Sequence, residues 1–348
     1  DSLTLRQQVY QPRLWAGLRQ AEASVQASDE SLAQESQNLV GRLTEAYFNL
    51  LLAQERIALV QAQENSTRAQ LQAADKALKA GMGTRTDLFE VQAQLDRIRA
   101  SALQALQAEA SAKAQLELVA GRKPERPLAF AAGQFAPESF APDNLEAWID
   151  KAIAGSRDIA ARLARLESVR QGLRAARFEH YPSLDFVAQA TRSSSEDAFF
   201  VGSETRSQSL GFALTVPLYQ GGGLSARERQ VQAAVLEAEE QLALAKNILK
   251  VEVSRAFFAV NEGVLSVRAL EQALVSNEQA LVANQRSFEA GVRRSLDVLA
   301  AEQRLSQTRL DLQTARMQML IAWVRLQILS GLADRNTITR LDPLFKSP

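Results

Sequence analysis

Apolar residues alternate with small or polar ones over three short stretches of the chain. In SLGFALTVPLY (209–219), Leu210, Phe212, Leu214, Val216 and Leu218 take one side, and Gly211, Ala213, Thr215 and Pro217 take the other. PSLDFVAQATR (182–192) alternates likewise, with Leu184, Phe186, Ala188 and Ala190 against Ser183, Asp185 and Gln189. A period of two is that of a β-strand with unlike faces. The polar stretch SSSEDAFFVGSETRSQ (193–208) predicts a hairpin loop between these strands, and SLTLRQQVY (2–10), aligned with 211–219, predicts a third strand. Strands of about ten residues, apolar outward and small or polar inward, carry the weak signature of a lipid-facing β-barrel. A half-buried sheet in a soluble protein gives the same pattern.

Elsewhere the pattern is helical. Ala, Gln, Leu, Glu and Arg dominate, and Pro and Gly are nearly absent from 18–80, 86–119, 224–290 and 295–330. Gly41 and Gly263 are the exceptions, each costing about 1 kcal/mol relative to Ala in a helix. Helices of about 60 residues reach about 90–100 Å, a length that persists only by packing on neighbours throughout.

The chain repeats itself. EAYFNLLLAQE (45–55) matches RAFFAVNEGVL (255–265), Gly81 matches Gly291, Arg19-Gln20 matches Arg229-Gln230, and VAG (119–121) matches LSG (329–331), all displaced by 210 positions. Each copy reads as strand, very long helix, tight turn and second helix. The predicted organisation is a first repeat at 1–121, an inter-repeat segment at 122–160, a second repeat at 161–331 and a tail at 332–348. The first copy has no counterpart of 135–200, so we expect several dozen residues upstream, with a further strand and a signal peptide.

The turns differ where the helices agree. AGMGTRTDLFEVQAQL (80–95) and AGVRRSLDVLAAEQRL (290–305) place Gly81, Gly83 and Gly291 where a corner needs an open backbone. Thr86 or Ser295 can cap the following helix, and Asp87 or Asp297 suits the positive end of its dipole. The plain reading is two capped corners, but it leaves the mismatch between Asp87 and Arg293 unexplained.

Composition removes other functions. Among 348 residues, 40 Lys and Arg balance 40 Asp and Glu, so no field favours nucleic acid. The absence of Cys excludes disulfide and thiol chemistry, and a single His, His180, excludes a His-rich metal site. His180, beside Tyr181 and Pro182, reads as a solvated or packing residue. The longest apolar run, MQMLIAWVRLQIL (317–329), is broken by Gln318 and Arg325 and is short of a membrane-spanning helix. The GGG at 221–223 lacks the Gly-Lys-Ser/Thr of a phosphate loop. No nucleophile–base pair or paired-acid motif calls for an enzyme, and no cofactor is implied. Phe199 and Phe200 could anchor at a membrane surface or plug a mouth.

VPLYQGGGLSARERQVQAA (216–234), ARFEHYPSLDF (176–186), RAFFAV (255–260) and the two turns, in this order and spacing, resemble the TolC family of outer-membrane export channels. The style of LYQGG and of the second turn is nearer the TolC- and AprF-like type I secretion members than the lipid-anchored drug-efflux ones. The resemblance implies a mostly α protein with a small β part: a homotrimer whose 12-stranded outer-membrane β-barrel continues into a periplasmic α-helical barrel. Three strands per subunit would give nine, which cannot alternate direction around a barrel, so four are expected. The segments 122–160 and 332–348 would form a belt around the helices.

It also implies an exit duct for an unfolded secreted protein such as a protease or lipase, driven by an inner-membrane ABC transporter through a periplasmic adaptor. The same duct serving an RND-type multidrug pump is the alternative, and a soluble long-helix scaffold a third. Adaptor docking falls on Gly81, Met82, Gly83, Thr84, Arg85, Gly291, Val292, Arg294 and Ser295. The periplasmic gate falls on Thr86, Asp87 and Arg293, with Phe288 in place of a gate tyrosine, and on Gln70 and Arg316, whose acidic partner is replaced by Gln285. Asp297 matches one of two constriction acids and Ala300 replaces the other, while Glu90 is the equivalent in the first repeat.

Overall fold

A computed structural model describes residues 1–123, 129–130, 135–197, 200–333, 339–341 and 344–346. In chain order the elements are β1 (Ser2–Tyr10), α1 (Pro12–Lys79), α2 (Arg85–Ala120), β2 (Ala129–Phe130), a helical turn at Pro137–Phe140, α3 (Leu145–Gly155), α4 (Arg157–Phe178), β3 (Ser183–Asp197), β4 (Phe200–Thr215), α5 (Gly223–Glu289), α6 (Ser295–Leu329) and β5 (Phe345–Lys346). Two units result: residues 1–34 with 157–248, and residues 35–156 with 249–348.

The first unit holds an antiparallel sheet in the order β1-β3-β4. Its register pairs Leu5 with Ala188, Gln7 with Phe186, Ala188 with Leu210 and Phe186 with Phe212. Partners directly opposite share a face, so Leu3, Leu5, Phe186, Leu210, Phe212 and Leu214 form one apolar surface. β1 and β4 are both edges among the described residues.

The hairpin loop expected at 193–208 is corrected by the structure. Ser193 pairs with Thr205 and Ser195 with Ser203, and an irregularity follows before Asp197 meets Phe200. Polar side chains there had suggested a loop, yet pairing satisfies the backbone N–H and C=O groups whatever the side chains are. Phe199, a predicted anchor, lies outside the described residues, and Phe200 opens β4. The strand predicted over 209–219 also ends early, at Thr215, ahead of Pro217, which has no N–H for a ladder.

Where strand becomes helix, Pro12 takes the first position of α1, a place where its missing N–H costs nothing. Gly221 and Gly222, with φ of 60° and 79°, turn the chain into α5. Arg13 to Glu179 at 3.4 Å and Arg177 to Glu228 at 2.9 Å join the helix ends beneath the sheet.

The second unit carries the principal core. Phe48 and Leu51 from α1, Val260, Val264 and Val267 from α5, and Met317, Leu320 and Trp323 from α6 are buried together. Phe135, Phe140, Leu341 and Leu344 join them from the inter-repeat segment and the tail, with Phe140 edge-on to Trp323 at 5.2 Å between centroids. β2 and β5 pair antiparallel, so these two segments also share backbone hydrogen bonds. The helix glycines have their reason here. A Cβ on Gly263 would lie 2.7 Å from Met319 Cγ, and one on Gly41 would lie 2.8 Å from Ile328 Cδ1.

Candidate functional site

The two helix corners share one backbone path. Gly81 and Gly291 both sit at φ 73°, which only glycine adopts without strain. The N–H groups of Met82 and Gly83 reach back to Ala77 O, and those of Val292 and Arg293 to Ser287 O, closing the last turns of α1 and α5. No non-glycine residue among the described ones has positive φ, so Arg293 stands where Gly83 does without strain.

Neither Thr86 nor Ser295 is the cap. Thr84 precedes α2, accepting a hydrogen bond from Asp87 N–H at 3.1 Å, while the Asp87 carboxylate accepts from Thr84 N–H at 3.4 Å and from its hydroxyl at 2.7 Å. Reciprocal contact requires a spacing of three, which Thr84 and Asp87 have and Thr86 does not. At the second corner Arg294 takes the cap position. Asp297 accepts from Arg294 N–H at 3.2 Å, but Arg294 has no side-chain acceptor to return, and Asp297 N–H turns to Arg294 O at 3.1 Å. Both first-turn acids therefore serve helix starts.

The other predicted residues are placed as follows. Arg85, Thr86, Glu90, Gln285 and Phe288 are exposed, as are Met82, Val292, Arg293 and Arg294 at the corners. Asp297 and Ala300 are half-buried near the start of α6. Gln70 and Arg316 do not meet. Gln70 donates to Glu302 at 3.0 Å, and Ser66, one helical turn earlier, donates to the same carboxylate at 2.9 Å. The Gln70 carbonyl oxygen is buried without a partner among the described residues. Arg316, largely buried, pairs with Glu271 at 2.7 Å and lies 5.8 Å from the Phe135 ring centroid.

Glu302 and Glu271 were not singled out by the sequence. Ser66 and Gln70 at i, i+4 mark a polar edge on α1, but nothing local announces an acid 232 positions away. Another pair was also invisible. Arg6 on β1 reaches Asp185 on β3 at 2.5 Å, and Asp185 is 4% exposed, with its second oxygen unpartnered among the described residues. These two belong to the polar face of the sheet, along with Thr4, Gln8 and Gln189, as the alternation requires.

The opposite face is unusual for a protein in water. Leu210, Phe212 and Leu214 are 78%, 69% and 66% exposed, and Leu3 and Leu5 beside them are exposed too. Among the described residues no helix is long and apolar enough to cross a membrane. An exposed apolar sheet face backed by a polar one, joined directly to long helices, is the pattern of lipid-facing strands in an outer-membrane protein.

The comparisons narrow the class. The family model described as outer membrane efflux protein matches residues 2–122 and 148–332, and the chain belongs to that family. The chain is 30% identical over 335 residues to the alkaline protease secretion protein AprF of Pseudomonas aeruginosa, covering 96% of this chain and 70% of that protein. It is 28% identical to the proteases secretion protein PrtF of Dickeya chrysanthemi, covering 100% of this chain and 76% of that one. Among solved structures, the outer membrane protein VceC of Vibrio cholerae superimposes with a TM-score of 0.78 at 18% identity, over 95% of this chain and 79% of that one. The CmeC outer membrane channel of Campylobacter jejuni gives 0.79 at 14%, over 98% and 73%. The protein is thus a TolC-family channel of the outer membrane with a periplasmic helical part, and not an enzyme.

Proposed function

We propose that the protein is one protomer of a trimeric exit duct for type I protein secretion. The observation that carries the channel reading is the exposed apolar face of the β1-β3-β4 sheet over a polar face. Water would penalise that face by roughly 25 cal/mol per Å², whereas lipid does not. Two open edges on the same sheet give neighbouring protomers a place to pair. A soluble scaffold has no use for either feature.

The secretion reading rests on relatives named for secretion of alkaline protease and of proteases. In this reading an unfolded hydrolase is the cargo, an ABC transporter supplies the energy, and a periplasmic adaptor docks on the corners around Met82 and Val292. The repeats at 1–121 and 161–331 furnish equivalent pieces of barrel and tunnel, with 122–160 and 332–348 as the belt. Asp87 and Arg293 hold the gate between neighbouring protomers, and Asp297 lines the constriction. The alternative, a multidrug efflux duct, is favoured by relatives such as the outer membrane efflux protein BepC of Brucella suis, 25% identical over 306 residues.

Deleting the gene and scoring secreted hydrolase activity beside drug sensitivity separates the two. Loss of secreted activity with drug tolerance intact supports secretion. The converse result assigns the duct to efflux.

A further inference from the structure

Following the apolar face of the sheet away from the helices leads to charge. Tyr10, Leu184 and Leu214 share a register level at the end where α1 begins and α4 has just ended. Ala188 and Leu210 come next, then Ala190 and Gln208, and then Arg192 opposite Arg206. Arg206 is eight residues from Leu214, about 26 Å along a strand at ~3.3 Å per residue. At the tilt of an outer-membrane barrel that becomes about 20 Å, comparable with the ~25 Å apolar band of such proteins. The arginines therefore stand on the lipid-facing side, at the rim farthest from the periplasmic helices.

Their charge is only partly neutralised. Arg192 Nε is 2.6 Å from Glu204 Oε1, and Arg206 places Nε at 3.1 Å and an Nη at 3.0 Å from the same oxygen. Two guanidiniums thus converge on one carboxylate oxygen, and all three side chains are exposed. Asp1 pairs with Arg192 through backbone hydrogen bonds, and its carboxylate forms no ion pair with it among the described residues. A guanidinium carries five N–H donors in a planar fork that fits phosphate oxygens in pairs. On a surface where apolar chains end, the complement is an anionic headgroup whose acyl chains lie along Leu3, Leu5, Leu210 and Phe212.

We infer that Arg192 and Arg206 form a binding site on the barrel's outer rim for the phosphate of a phosphorylated lipid in the outer leaflet. Glu204 holds the two guanidiniums side by side and is displaced from part of their donor set when the headgroup arrives. The inference rests on the channel reading, which supplies the lipid.

The test uses the protein extracted from outer membranes, with native mass spectrometry counting lipid retained. Probes are a bis-phosphorylated lipid A, a zwitterionic phospholipid and inorganic phosphate. The wild type is expected to hold lipid A more tightly than the zwitterionic lipid. The R192Q/R206Q variant should bind lipid A about tenfold more weakly, the scale of losing one charge-assisted hydrogen-bonded contact, while still entering the membrane. E204Q, which removes the competing anion, should bind at least as well as the wild type. Equal lipid A binding by wild type and R192Q/R206Q overturns the inference alone. So does E204Q losing as much as the double variant, since the cluster would then be structural. Inorganic phosphate displacing lipid A at equal concentration overturns the assignment to a lipid. A wild-type protein that fails to enter the membrane overturns the channel reading and the inference together.

Discussion

Gly41 and Gly263, 222 positions apart and so at different places in the two repeats, lie inside long helical stretches that otherwise avoid glycine. Each weakens its helix by about 1 kcal/mol in propensity, and in each case a neighbouring helix occupies the space a Cβ would need. The two contacts differ in what can yield. At Gly41 the intruding atom is the tip of Ile328, while at Gly263 the Cγ and Cβ of Met319 both lie under 3.0 Å. Gly41→Ala is therefore expected to be neutral or stabilising by up to about 1 kcal/mol. Gly263→Ala should destabilise by about 1–3 kcal/mol through overpacking, and thermal unfolding of the two variants in detergent checks the order. A charged residue gives a second expectation. The Glu138 carboxyl is held below the usual carboxylate range, first by hydrogen bonding to its own backbone N–H and then by Arg268. A carboxylate with a lowered value in the fold adds stability above its unfolded value and loses it as pH falls through the folded one. Glu138→Gln should thus lower the melting temperature slightly at neutral pH and converge with the wild type in acid, which flattens the acid limb of a melting-temperature profile.

At the scale of elements, the corners separate turn chemistry from cap chemistry. The turn is identical in both copies because Gly81 and Gly291 adopt the same left-handed backbone. The caps differ because Thr84 returns a hydrogen bond and Arg294 does not. Thr84→Ala should cost about 1 kcal/mol at the start of α2, seen as faster amide exchange over its first turn, and Arg294→Thr should slow exchange at the start of α6. Equal exchange in both variants and the wild type would remove the cap assignment. The sheet shows an element the sequence read only halfway. Its alternation marked both faces correctly, but the continued pairing through 193–195 and 203–205 depended on two strands meeting and not on either alone.

At the scale of the whole molecule, the proposed gate and constriction make expectations about conductance. Asp87 is already committed to its own helix cap, and any pairing with Arg293 of another protomer shares that carboxylate. Replacing Asp87 and Arg293 with Ala is expected to raise single-channel conductance in planar bilayers, since loss of interprotomer ion pairs loosens the closed end. Unchanged conductance removes both from the gate. Asp297→Ala is expected to lower cation preference and weaken block by multivalent cations, because three copies of one acid would form a ring around the pore. An unaltered reversal potential would leave Asp297 as a helix-start acid.

What the sequence determined by itself was periodic or duplicated. A period of two predicted strands with one apolar face, the lack of Gly and Pro predicted helices of extreme length, and a displacement of 210 positions identified two matching corners. Those signals are local or self-referential, so one dimension carries them. What only the tertiary structure decided were partners distant along the chain. Gln70 and Ser66 found Glu302, Arg316 found Glu271, Arg6 found Asp185, and two arginines at the rim came to share Glu204. Helix and strand periodicities fix which face a side chain occupies, but the register between elements selects which charge it meets. A charge meets its partner through space, and linear spacing holds no record of that.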